Sequence, residues 1–408
     1  MTASHSSSSP YSREDIPAPG LSAGTALLDA AWAGDARAVE ERLAALSESL
    51  SIQELGGLAS TALSSAARLG HADCVSILLS RAPGSARDAQ RSTPLAQAAK
   101  NGHARCVVLL MGHNDPNAQD DLGRTALMEA AERGHALCVD LLLSRSSATL
   151  QDSAGMDALM LAARRGAKNC VERLLPFSDL SAVDQEGRNA LMLSILSQPA
   201  GETPQTMEMA HLLFPLFPVM ATNQEGHAFA DLAAGKGMPN CLALALGSMS
   251  KDEVNAARGD GHPLLLIAAK NRHRDCARAL LAAGADTSIV ADRWDAMLLA
   301  VSNNDAPMVE LLADHMRGLS RELGKTAFEF ALERHWMDCV DAMAPLLNGF
   351  EIEEALQECS PKFDMPRLRA VKESRELEAA AGISGVAPHA SPDAMRGARV
   401  PPPPAKRL

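Results

Sequence analysis

The sequence predicts an all-α solenoid of stacked helix–turn–helix units joined by short β-turn or hairpin-like loops. Three observations carry that expectation. One pattern recurs in register from Thr25 to Thr326, and its four steps through Thr61, Thr93, Thr125, Asp157 and Asn189 are 32 residues each. An alanine pair stands five and six places after the anchor in most copies, and an apolar run follows it at helical spacing. Hydrophobic residues make up 47% of the chain but aromatic ones only 3%, as expected where helices approach closely on Ala and Leu rather than on large rings.

The unit is clearest from Gly123 to Leu143. Thr125 is a good helix start, because its hydroxyl can accept a bond from a first-turn N–H. Leu127, Ala130 and Ala131 then put small and apolar groups on one face, and Gly134 can end the helix in a left-handed conformation. Cys138, Val139, Leu141, Leu142 and Leu143 make a second apolar helix. A helix pair of about 33 residues cannot bury both faces alone and needs neighbours on either side.

The chain supplies them. Anchors fall at Thr25, Thr61, Thr93, Thr125, Asp157, Asn189, Ala228, Pro263, Asp295 and Thr326. Alanine pairs recur from Ala30/Ala31 to Ala268/Ala269, and glycines precede the anchor at Gly123, Gly155, Gly187, Gly226, Gly261 and Gly324. Asp88, Asp120, Asp152 and Asp184 each stand five places before theirs.

This pattern resembles the ankyrin repeat, a turn plus two helices with the signature T-P-L-H-x-A. Thr93-Pro94-Leu95 matches its opening, Gly284-Ala285-Asp286 matches its closing turn, and the resemblance runs from Ser22 to Leu347. One departure is systematic. The family's histidine after the opening triplet is here Ser64, Ala96, Met128, Met160, Met192 or Leu266. The resemblance implies that this histidine ties neighbouring turns, so its loss predicts looser coupling, with flexible Met side chains replacing it only in part.

In chain order, residues 1–21 read as a disordered Ser-rich leader, without the apolar centre of a secretory signal. Residues 22–221 form a first repeat block. Its end is irregular, because about seven extra residues enter between Ile195 and Met209, among them Pro199, Gly201 and Pro204. That stretch reads either as a tolerated surface loop or as a hinge. Residues 222–347 form a second block, and 348–381 a helical cap with a strongly charged second helix. Residues 382–408 are a disordered, basic, Pro-rich tail in which Pro401 to Lys406 fits P-x-x-P followed by a cation. SH3-type grooves accept that polyproline form, so an SH3-type domain is an expected second partner.

Seven cysteines, Cys74, Cys106, Cys138, Cys170, Cys241, Cys276 and Cys339, share one position thirteen places after the anchor. Ala38 and Met308 occupy it elsewhere, so it wants a modest apolar group. Helices pack about 8–10 Å apart, farther than the roughly 7 Å a disulfide spans between Cα atoms. Reduced thiols point to a cytoplasmic location. His71, His103, His135 and His273 each precede such a cysteine by three places. The H-x-x-C repeat is read as a helix start beside a packed thiol, because a zinc site needs four converging ligands. Neither metal nor cofactor is expected.

No catalytic constellation emerges: the sequence holds no Gly-rich phosphate loop, H-E-x-x-H or G-x-S-x-G. An enzyme is therefore not expected. A net charge of −12 argues against a nucleic-acid partner, and no run of 18 apolar residues offers a membrane span. Function should lie where the repeat leaves positions free, at the loop tips and at the seventh and eighth places after the anchor, which face the concave groove. Those places hold Arg68, Lys100, Glu132/Arg133, Arg164/Arg165, Lys270/Asn271 and Glu333/Arg334, and the tips hold Arg124, Met156, Arg188, Trp294 and Lys325. The expected protein-binding set is Arg124, Arg133, Met156, Arg164, Arg165, Arg188 and Trp294, recognising an acidic protein segment with Arg as the anchoring residue. Two alternatives are a structural scaffold that uses several faces with the tail, and a thiol-based redox sensor, which would need exposed cysteines of lowered pKa.

Overall fold

The computed structural model describes residues 21–82, 87–88, 90–196, 201–316, 321–322, 325–358 and 365–380. The Ser-rich leader up to residue 20, the start of the irregular stretch at 197–200, and the tail with Pro401–Lys406 lie outside the described residues. Short paired helices dominate. Among the described residues, the extended pairing is an antiparallel pair, with Arg321 opposite Thr326 and Glu322 opposite Lys325, a bridge between Ala291 and Trp294, and bridge residues at Thr222 and Ala228.

Two compact units divide the chain, one of residues 1–199 and 203–224, the other of 200–202 and 225–408. In the first, the helix pairs are Leu21–Ala33 with Ala36–Ser49, Ile52–Leu69 with Ala72–Leu79, Pro94–Lys100 with Ala104–Leu110, Ala126–Arg133 with Ala136–Leu143, Ala158–Arg165 with Lys168–Leu174, and Ala190–Leu196 with Pro204–Leu213. First helices of successive pairs pack side by side, and second helices do the same from Ala36–Ser49 as far as Lys168–Leu174. The second unit pairs Phe229–Lys236 with Pro239–Leu246, Leu264–Lys270 with Arg274–Ala282, Ala296–Ser302 with Ala306–Ala313, and Ala327–Glu333 with Met337–Ala342. Gly349–Glu358 and Pro366–Ala380 are two further helices.

The local chemistry follows the anchors. Thr125 Oγ1 accepts from the Met128 N–H at 3.3 Å, and Thr93, Asp157, Asn189 and Asp295 cap their helices in the same way. Thr25 and Thr61 do not. Thr25 lies inside Leu21–Ala33 and Thr61 inside the 18-residue helix Ile52–Leu69. That helix starts at Ser51, whose Oγ accepts from the Glu54 N–H while the Glu54 carboxylate accepts from the Ser51 N–H. This reciprocal pair satisfies two free donors and outcompetes a lone threonine. The Ala pairs and all seven in-register cysteines are buried, and Met128, Met160 and Met192 are each 1% exposed.

Other histidines make contacts between repeats that the opening-triplet position does not supply. His71, His103, His135 and His273 tie their repeats to the preceding ones: each ring Nε2–H donates to a carbonyl one repeat back, of Trp32, Arg68, Lys100 and Gly235, at 3.0–3.1 Å. A carbonyl can only accept, so the proton must sit on Nε2. The ring also rests on the glycine that ends the preceding first helix. At Gly70 (φ +83°) a Cβ would stand 2.5 Å from His103 Nδ1, and the same closeness holds at Gly34, Gly102 and Gly237. Gly134, which faces Ala167 instead of histidine, would meet only the Ala167 methyl at 3.7 Å. The histidines of the H-x-x-C pattern therefore fasten one repeat to the next.

Candidate protein-binding site

The first unit carries most of the expected binding residues, and its loop tips are tied by aspartate side chains. One oxygen of Asp120 accepts the N–H groups of Leu122 and Arg124, both at 2.9 Å, and Asp152 and Asp184 hold Met156 and Arg188 likewise. These turns aim the side chains that follow them.

Arg124, Arg164 and Met156 come together, but with acidic neighbours. Arg124, 18% exposed, pairs with Glu132 and lies 3.7 Å from both Glu129 and Asp152. Arg164 reaches across from the next repeat to hold Glu132 at 2.6 Å and to place its Nη1 3.3 Å from the Met156 sulfur. Lys100 closes the cluster from the other side, 3.4 Å from Glu129. Burial works to raise the Glu132 pKa, yet the Arg124 charge and hydrogen bonds from Arg124 and Arg164 together hold it below the usual carboxylate range. Arg188 is likewise engaged, with Asp184 at 2.7 Å and with Glu186. Met156 is 6% exposed, a packed residue rather than a contact surface.

The arginines of this face are thus not all left to an outside partner. Glu132 neutralises two arginines from within the array, and Glu129 supports the arrangement from a buried position. The sequence reading missed Glu129; its signal was a carboxylate in an otherwise apolar helix face. Arg133 and Arg165 are different. They occupy the same register in consecutive repeats, both are exposed, and among the described residues neither makes an ion pair. At the head of the unit, Arg68 stacks over the half-exposed Trp32 ring at 5.1 Å.

Trp294 belongs to the second unit. It is half-buried, and its main chain exchanges two hydrogen bonds with Ala291, at 2.8 and 2.9 Å.

The seven described in-register thiols are all buried packing groups. Burial pushes Cys106, Cys138 and Cys170 up to about 11 and Cys276 and Cys339 up to about 12. A redox sensor needs the opposite shift and an exposed sulfur. Among the described residues, no three His, Cys, Asp or Glu side chains converge to hold a metal ion. No helix there is long and apolar enough to cross a membrane.

A family model for ankyrin repeats in three copies matches residues 27–120, 63–152, 95–175, 127–214, 230–324 and 265–355. No curated protein matches the sequence.

Proposed function

The chain belongs to the ankyrin repeat family, whose arrays are protein–protein interaction modules, and from that premise we propose a non-catalytic adaptor that binds an acidic protein segment along the first unit. Arg133 and Arg165 are the primary contacts. The observation that carries this reading is their exposure and lack of an ion pair among the described residues, in a chain of net charge −12. A partner carboxylate would find two guanidinium groups one repeat apart, each offering a planar fork of donors. Arg124, Arg164 and Arg188 act differently: with Glu132 and Asp184 they hold the surface between and beside those contacts in one geometry. Met156 supports Arg164, and the Trp32–Arg68 stack extends the same line of positions toward the start of the array.

The test is charge reversal at the two exposed positions alone. Arg133→Glu with Arg165→Glu should leave the unfolding free energy within about 0.5 kcal/mol of the parent, as for exposed side chains. Partner capture should fall at least tenfold and weaken with rising salt. Unchanged capture and unchanged salt response would place recognition on another face.

A further inference from the structure

The second unit holds an aromatic–arginine cluster that repeat packing does not explain. Phe330 lies near the end of the helix Ala327–Glu333, Arg334 follows it, and Trp336 caps the helix Met337–Ala342. The Arg334 guanidinium stands 4.6 Å from the Phe330 ring centre and 5.1 Å from that of Trp336, while the two rings lie 6.0 Å apart at 58°. Both rings are half-buried and the arginine is exposed.

Trp336 occupies the position that holds histidine in four other repeats. There the ring rests on a glycine one repeat back; here the equivalent residue is Asn304, at φ +52°. A ring seated in the usual way would meet the Asn304 side chain, and the indole packs on Phe330 instead. The chain holds only three tryptophans and eight phenylalanines, so the pairing of two such rings around one guanidinium is uncommon in it. Cation–π attraction to the two rings positions the guanidinium, and the exposed side chain keeps N–H donors toward solvent. Among the described residues Arg334 makes no ion pair, and the neighbouring Glu329 and Glu333 have contacts of their own.

We propose that Phe330, Arg334 and Trp336 form a second docking site, for an acidic peptide segment of a partner protein. A Glu or Asp carboxylate takes the solvent-facing N–H donors of the Arg334 guanidinium in a two-pronged hydrogen bond, and an adjacent apolar side chain covers the exposed parts of the rings. Arg and Trp are the residue types that dominate binding energy where such contacts exclude water. This site is independent of Arg133 and Arg165.

The test uses the full chain with Trp32→Phe and Trp294→Phe, which leaves Trp336 as the sole indole. A synthetic octapeptide of alternating Glu and Leu is titrated while Trp336 fluorescence is followed, with an alternating Lys and Leu octapeptide as comparison. Expected are a saturable change with the acidic peptide alone, a Kd at least tenfold weaker in Arg334→Gln, and a Kd unchanged in Arg133→Glu/Arg165→Glu. Circular dichroism of Arg334→Gln should match that of its parent. The proposal is overturned if the signal does not saturate, if both peptides bind alike, or if folded Arg334→Gln binds as well as its parent. It is also overturned if the reversal in the first unit, rather than Arg334→Gln, abolishes the signal.

Discussion

Replacing Gly70 by alanine isolates the histidine fastener between repeats. Gly70 sits at φ +83°, where an L side chain costs about 1–2 kcal/mol whatever surrounds it. Its new methyl would also stand 2.5 Å from His103 Nδ1, so the ring must leave, and the 3.0 Å bond from His103 Nε2 to the Arg68 carbonyl goes with it. A hydrogen bond of this kind contributes about 1 kcal/mol. Gly134→Ala is the matched control, at φ +80° but facing only the Ala167 methyl at 3.7 Å. Urea unfolding should therefore show Gly70→Ala costing about 2–3 kcal/mol and Gly134→Ala about 1 kcal/mol less. Combining Gly70→Ala with His103→Ala should cost about 1 kcal/mol less than the sum of the two single changes, because both remove the same bond. Equal costs for the two glycine variants, with an additive double variant, would refute the fastener.

Three further outcomes follow from the same geometry. Burial pushes the Asp157 carboxyl up to about 6, against the pull of hydrogen bonds from the Met160 and Leu159 N–H groups. Because the folded pKa is raised, this group stabilises the fold below its ordinary value of 3.8 and that contribution, about 3 kcal/mol at most, is lost as pH rises through about 6. Asp157→Thr, which copies the cap at Thr125, should flatten stability between pH 4 and 6 in chemical unfolding and raise it at pH 7. Arg164→Glu should cost about 2 kcal/mol, between the values for surface and fully buried pairs, because it sets a second carboxylate against Glu132; thermal unfolding reads it. The seven buried cysteines should alkylate in minutes only after denaturant is added, and mass spectrometry after a brief native pulse should find them unlabelled.

Much of the architecture was legible because each repeat poses the same packing problem. The small residues at Ala130 and Ala131 and the thiol at Cys138 recur where helices touch, so their register alone marks the core. Thr125 and Asp157 were legible as caps because a side-chain oxygen at that place has one obvious use. Thr61 misled: the stronger start, Ser51 with Glu54, lay ten residues earlier outside the repeat's register. The charged face was harder. Glu132 and Arg164 are 32 residues apart and meet only because repeats stack, and Arg124 reaches Glu132 along the helix that follows its loop. Charges read from one repeat at a time therefore looked unbalanced. The histidine fasteners were hidden for the same reason, since His103 finds its partner at Arg68, 35 residues back.

Partners are expected to bind where Arg133 and Arg165 project. A photo-cross-linking residue placed at 133, at 165 and, for comparison, at Leu137, which is 69% exposed on a second helix, tests it directly. Irradiation in lysate followed by peptide mapping should give adducts at 133 and 165 whose partner peptides are rich in Asp and Glu, with little at 137. Adducts concentrated at 137, or partner peptides without acidic residues at 133 and 165, would rule out Arg133 and Arg165 as the contacts for an acidic segment.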